Sequence, residues 1–381
     1  MAQRVSFARS GIPGSGAGRV TAPLRVDQSV VGARPLGKVP SLDGMRAVAV
    51  LVVMAFHADV PGFLGGRAGV DVFFVLSGFL ITTLLLQEKG SSGHIRLGAF
   101  YMRRILRLYP ALIAAVLLAI VLAALKVPIF DASTLSLTTT VKASPLALFY
   151  TMNIGRAAGW TGGGFLGHTW SLAIEEQFYL VWPLIVIVVM RRRSSPVLLG
   201  WLALACALTS AGVRAALTLA GFSEEMLYNA TFSHVDGIFL GCAAAVLWLA
   251  RPELLARCAG PWKALAAVSV AAVLVIHGQN MNTYGFLLIG IASVVVLADV
   301  LYRRESTMSR ALSHPAAVSV GRRSYGLYLY HWPIFLFIGI DTRPMIVMLG
   351  FGMSFAAAWV SFALIEQPFL RMKGRWASAN P

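Results

Sequence analysis

The stretch MRAVAVLVVMAFHADVPG, Met45 to Gly62, places an arginine and a histidine on either side of ten apolar residues. A bilayer-crossing helix needs roughly 20 residues at ~1.5 Å rise each, so a span here must take in both Arg46 and His57. Eleven residues at ~100° each return to nearly the same face, with the two side chains ~16 Å apart along the axis. Ionisable groups at membrane depth are costly and mark functional candidates. Together the two make one stripe of this helix polar, which suits the lining of a cavity. The plainer alternative has Arg46 snorkelling to the interface and His57 marking the outer end of the span.

A second group is FYMRRILRLYP, where Arg103 and Arg107, and Arg104 and Arg107, are helical neighbours. Guanidinium forks suit phosphate, so the cluster reads as an anchor for a phosphorylated cofactor or as a contact to lipid headgroups. A third group is GHTWSLAIEEQFYLVWPL, with His168, Glu175 and Glu176 at a helix start. Adjacent carboxylates point ~100° apart, so only one readily faces a shared cavity, and Glu176 is favoured. Acids at a helix start also suit the dipole, and Trp170, Tyr179 and Trp182 suit an interfacial belt. Asp71 begins one span, SHVDGIFLG places His234 and Asp236 at the end of another, and Glu366 closes the last. His331 precedes Trp332-Pro333, and the proline is expected to kink its helix. FVLSGF lacks the GxSxG turn of a nucleophilic serine, so Ser77 and Gly78 read as packing residues. No HExxH or Asp/Asn-rich calcium loop occurs, and no metal is expected.

The elements carrying these residues follow from composition. Charged residues make up 13% of the 381, against roughly 25% in soluble proteins, and mean hydropathy is +0.74. The expected fold is all-α: a polytopic bundle of about ten membrane helices. They fall at about 42–60, 69–87, 108–126, 170–190, 197–219, 234–250, 262–277, 284–302, 324–340 and 345–366. Between the third and fourth, SPLALFYTMNI (144–154) reads as a further helical or re-entrant piece. With both termini cytoplasmic, 25 of the 32 Lys and Arg fall inside and only Arg67, Lys126, Lys142, Arg156 and Arg343 outside; Arg46 and Arg214 lie within spans. That accounts for the net charge of +16 without a nucleic-acid partner.

Residues 1–40, rich in Gly, Ser, Pro and Arg, read as a disordered basic cytoplasmic tail without a cleavable signal. Residues 41–370 form the membrane domain and 371–381 a short cytoplasmic tail. The three cysteines show no metal or redox spacing. Ala-, Gly-, Val- and Arg-rich usage hints at a GC-rich bacterial host.

Six segments occur in order: SLDGMRAVAVLVVMAFH, GVDVFFVLSGFLIT, FYMRRILRLYP, HTWSLAIEEQFYLVWP, SYGLYLYHWPIF and IEQPF. Together they resemble the acyltransferase-3 family, bacterial membrane O-acyltransferases acting on glycans, glycolipids and some macrolides. The resemblance covers about 41–370. The family's Arg-x10-His pattern falls on Arg46 and His57, its Arg-x-x-Arg pattern on Arg104 and Arg107, and its acidic segment on Glu175 and Glu176. One departure is His234, where many members carry arginine. The soluble catalytic domain fused to some members is not expected here.

The resemblance implies an acyl-CoA donor, acetyl-CoA by default, and a hydroxyl acceptor on a glycan, glycolipid or macrolide-like molecule. The expected arrangement has CoA phosphates on Arg103, Arg104 and Arg107, the pantetheine arm beside Arg46, and His57 as general base, with an acyl-histidine intermediate as a variant. Glu176 orients the imidazole or the acceptor if the fourth span packs on the first. Asp71, Trp170, Glu175, His234 and His331 are further cavity candidates. The competing reading is a non-catalytic transporter of lipid-linked or drug-like molecules with a polar lumen. The His-x4-Asp signature of another acyltransferase class fails at His57, His168, His234 and His331.

Overall fold

The computed structural model describes residues 36–63, 65–125, 136–191, 195–260, 281–339 and 342–378, with side chains to 372. These residues hold helices and turns and no strand. The main helices are α1 (Pro40–His57), α2 (Gly69–Ser92), α3 (Leu97–Ala124), α4 (Leu137–Leu148), α5 (Met152–Ala157), α6 (Trp170–Arg191) and α7 (Pro196–Leu219). They continue as α8 (Asp236–Ala250), α9 (Phe286–Tyr302), α10 (Pro315–Arg322), α11 (Ser324–Ile338), α12 (Pro344–Ser361) and α13 (Gln367–Ser378).

Among the described residues, seven stretches are long and apolar enough to cross a membrane. They are Pro40–His57, Gly66–Ser92, Leu97–Ala124, Gly164–Arg191, Pro196–Leu219, Met281–Tyr302 and Pro344–Met372. Two further expected spans correspond to α8 and α11, which at 15 residues each reach only ~22 Å. The expected span at 262–277 lies outside the described residues, as do residues 1–35 of the expected tail. The 144–154 segment ends α4 and begins α5, with a turn at residues 149–151 between them. The chain does not stop at Pro368: a π-helical turn, Phe362–Glu366, leads directly into α13. Pro368 therefore sits inside a continuous helical run and supplies no N–H there, directly after the π-helical turn that breaks the regular hydrogen-bond ladder.

Glycine decides the closest packing. A Cβ at Gly78 of α2 would fall on the Ile238 carbonyl, and one at Gly241 of α8 on the Val75 carbonyl, so the two backbones touch. This reciprocal small-residue seam is the packing expected at Gly78. Gly44 and Gly321 similarly seat the start of α1 against Leu312 and α10. Trp182 of α6 donates to Thr82 Oγ1 of α2 at 2.8 Å.

Candidate active site

Arg46, Arg104, Arg107, Glu175 and Glu176 line one narrow cavity of about 80 Å³, together with Ser77, Tyr150, Tyr179, Tyr325 and Tyr328. Both glutamates reach it, where spacing favoured one, because the cavity wraps around the face of α6. Glu175 accepts from Ser77 Oγ at 3.1 Å and from Tyr179 OH at 3.2 Å. Ser77 is therefore part of the polar wall, while its neighbour Gly78 does the packing. Arg104 lies over the Tyr179 ring at 4.7 Å. Arg104 and Arg107 also line a second, wider cavity of about 570 Å³ with Arg96, Arg103 and Glu88. The two arginines thus stand between the cavities. Arg103 is 3.4 Å from Glu88 and Arg46 is 3.6 Å from Asp43.

His57 ends α1 and is not on the wall of the arginine cavity. Its Nδ1 lies 2.9 Å from His331 Nε2. His331 Nδ1 is 2.8 Å from the Tyr328 carbonyl and 3.1 Å from that of Leu327, so Nδ1 carries the proton. His331 Nε2 is then an acceptor and His57 Nδ1–H its donor. Neutral His57 consequently keeps its lone pair on Nε2, the atom a general base uses. The expected partner, Glu176, makes no hydrogen bond to His57, because α11 rather than α6 packs against α1.

Pro333 contributes in an unexpected way. Its helix runs through the proline, which leaves the Leu329 carbonyl without its N–H donor. His168 Nε2 occupies that carbonyl at 3.1 Å. The His168 and His331 rings are 5.6 Å apart, and each lies 5.5 Å from the Tyr328 ring. Tyr328 OH bonds Ser171 Oγ at 2.6 Å and the His168 carbonyl at 2.9 Å. Tyr328 therefore touches both the arginine cavity and the histidine cluster. On its other side His57 meets the Trp332 ring at 4.6 Å.

Asp71, Trp170 and His234 gather elsewhere. His234 Nδ1 is 2.7 Å from the Tyr228 carbonyl and Nε2 is 3.2 Å from Asp71 Oδ1, so a proton must lie between His234 and Asp71. Trp170 stacks on His234 at 5.4 Å. Beside them Arg214, fully buried, clasps both oxygens of Asp236 at 2.8 Å and donates to the carbonyls of Ser233 and Asn282. This cluster does not line the arginine cavity.

Sequence reasoning missed Tyr150, Tyr325, Tyr328 and Trp332. Tyr150 adopts φ +53°, a conformation costly for a bulky side chain, with Gln177 Nε2 donating to its carbonyl at 3.0 Å. No periodicity announces such a residue. Among the described residues no three His, Cys, Asp or Glu side chains are arranged to hold a metal ion. The arrangement offers arginines suited to a phosphorylated ligand in one cavity, and a neutral imidazole nitrogen outside that cavity, near the ring of Trp332.

The sequence pattern of a family described as an acyltransferase domain matches residues 39–366. The chain belongs to the acyltransferase-3 family. Its long apolar helices are those of a multi-pass membrane protein. The chain is 29% identical over 352 residues to the peptidoglycan O-acetyltransferase OatA of Listeria monocytogenes, covering 87% of this chain and 55% of that protein. It is 31% identical over 356 residues to a putative O-acetyltransferase of Staphylococcus aureus strain COL, covering 87% and 57%. It is 29% identical over 356 residues to O-acetyltransferase OatA of S. aureus strain NCTC 8325, covering 88% and 57%. The chain spans a little over half the length of these relatives. No solved structure matches it.

Proposed function

We propose that this acyltransferase moves an acyl group, acetyl in the simplest case, from cytosolic acyl-CoA to a hydroxyl of a cell-envelope glycan. Both termini then lie in the cytoplasm, and the bundle of about ten spans sits in a bacterial cytoplasmic membrane. The observation that carries the reading is the tautomer of His57. The carbonyls beneath His331 orient its ring, and that ring orients His57 with Nε2 free. CoA phosphates bind Arg104 and Arg107, with Arg103 at the rim of the wider cavity, and the pantetheine arm passes Arg46 and the two glutamates. Glu176 positions the donor, since it faces the arginine cavity. The acyl end reaches His57 when Tyr328 turns off Ser171.

In the chemical step His57 Nε2 takes the acceptor hydroxyl proton while the oxygen attacks the thioester carbon. The C–O bond forms, the C–S bond breaks, and the departing thiolate takes the proton back from the imidazolium. The names of the curated relatives favour peptidoglycan as the glycan and acetyl as the group.

The test is purified protein with acetyl-CoA and denuded peptidoglycan strands, following thiol release and ester formation together. His57→Ala is expected to abolish both; full turnover in that variant would end the reading. Arg104→Ala and Arg107→Ala should raise the donor KM, each loss of a charge-assisted contact costing about 1.5–3 kcal/mol, roughly 10- to 150-fold. An unchanged KM would remove these arginines from the donor site.

A further inference from the structure

A third cavity, of about 730 Å³, lies between α4, the loop at residues 160–164 and the C-terminal half of α11. We propose that it is the acceptor's docking site and takes an oligosaccharide segment bearing a carboxylate. The proposal rests on the acyl-transfer reading of His57.

Position is the first argument. Trp332 lines this groove, and its ring also lies 4.6 Å from that of His57. The groove therefore ends one ring away from the imidazole. Tyr325 and Tyr328 of the same helix line the arginine cavity, whereas Trp332 and Leu336 line the groove. From Tyr325 to Leu336 is eleven residues, ~16 Å along the axis, with His331 in between. A reaction of two substrates over one imidazole needs two approaches, and the arginine cavity has the chemistry for only one of them.

The second argument is the build of the groove. The WTGGG loop is held in one shape: Gly163 and Gly164 adopt φ +80° and +47°, and a Cβ at Gly163 would fall on Gly167 Cα. Trp332 Nε1 donates to the Gly164 carbonyl at 3.1 Å, tying the loop to α11. Arg156 Nη1 donates to the Gly167 carbonyl at 3.0 Å, linking the segments before and after the loop.

The third argument is lining. Trp160 is 72% exposed and offers a flat indole face. Thr139, Thr161 and the backbone at Gly162 supply short polar groups beside it. Lys142, exposed, forms no ion pair among the described residues. A flat ring with an apolar face, neighbouring hydroxyls and one cation match the C–H face, hydroxyls and carboxylate of an acidic sugar. A Trp at the membrane interface can instead anchor against lipid headgroups. That role does not call for a groove that ends at the active-site histidine.

The experiment measures binding to the full chain in nanodiscs, without donor, by calorimetry. One probe is a peptide-free peptidoglycan tetrasaccharide, whose lactyl groups are free carboxylates; the other is chitotetraose, which has none. Trp160→Ala should weaken both by about tenfold, and Trp160→Phe should recover most of the loss. Lys142→Gln should weaken only the carboxylate-bearing probe. His57→Ala should bind both as the wild type does while losing turnover. Turnover surviving in His57→Ala would overturn the chemistry and leave the binding result standing on its own. The docking site is overturned if wild type binds neither probe at millimolar concentration. It is equally overturned if Trp160→Ala and Lys142→Gln bind like wild type, or if these variants change only association with phosphatidylglycerol.

Discussion

Replacing His331 tests the site at its most informative contact. In His331→Phe the ring remains but no acceptor faces His57 Nδ1–H, which is 2.9 Å from Nε2 in the native protein. A buried donor left without its partner costs about 1–3 kcal/mol, and His57 escapes that cost by rotating or by moving its proton to Nε2. Either response removes the lone pair from the reacting position. At about 1.4 kcal/mol per decade, kcat should fall roughly 5- to 150-fold. The donor KM should stay within about twofold, because neither histidine lines the arginine cavity. His331→Gln places an amide oxygen close to the lost nitrogen and should restore most of the rate. The assay is thiol release under saturating donor, together with 15N spectra of the histidine side chains. Wild-type kcat in His331→Phe would refute the reasoning. So would equal impairment in His331→Phe and His331→Gln at matched melting temperatures, since that would make the contribution of His331 one of packing.

Two further outcomes concern stability. Arg214→Met strands the buried Asp236 carboxylate and should cost about 3–5 kcal/mol, whereas Arg214→Met with Asp236→Leu should recover much of it, read as thermal unfolding in detergent. A single variant as stable as wild type would contradict this. Gly78→Val drives a side chain onto the Ile238 carbonyl and should cost about 1–3 kcal/mol or more by parting α2 from α8; an unchanged melting temperature would mean that the seam can open freely.

Much of the site is local enough to read from residue order. Arg104 and Arg107 lie three apart on one helix, and both reach the cavity that also holds Arg46. The apolar periodicity announced most of the helices. What residue order does not carry is which helices become neighbours. His57 and His331 are 274 positions apart, and nothing in either segment states that their nitrogens meet. The same holds for Ser77 with Glu175, 98 apart, which turned a packing residue into part of the cavity wall. Tyr150 depends on a backbone conformation that a tyrosine rarely adopts and only tertiary contacts impose. Pro333 was legible as a helix perturbation, but not the use of the carbonyl it frees, which required His168 from another element.

The two aromatic rings flanking the histidines, Tyr328 and Trp332, bear on the energy economy of the cell. A membrane catalyst with reagents on both faces risks becoming a leak for protons and small solutes. Tyr328 lines the arginine cavity and Trp332 the groove beside α4, one helical turn apart on α11. If the rings yield one at a time, a two-carbon unit can pass while the ion gradient across the bilayer is kept. The cargo would travel as a bonded group, so the barrier itself need never stand open.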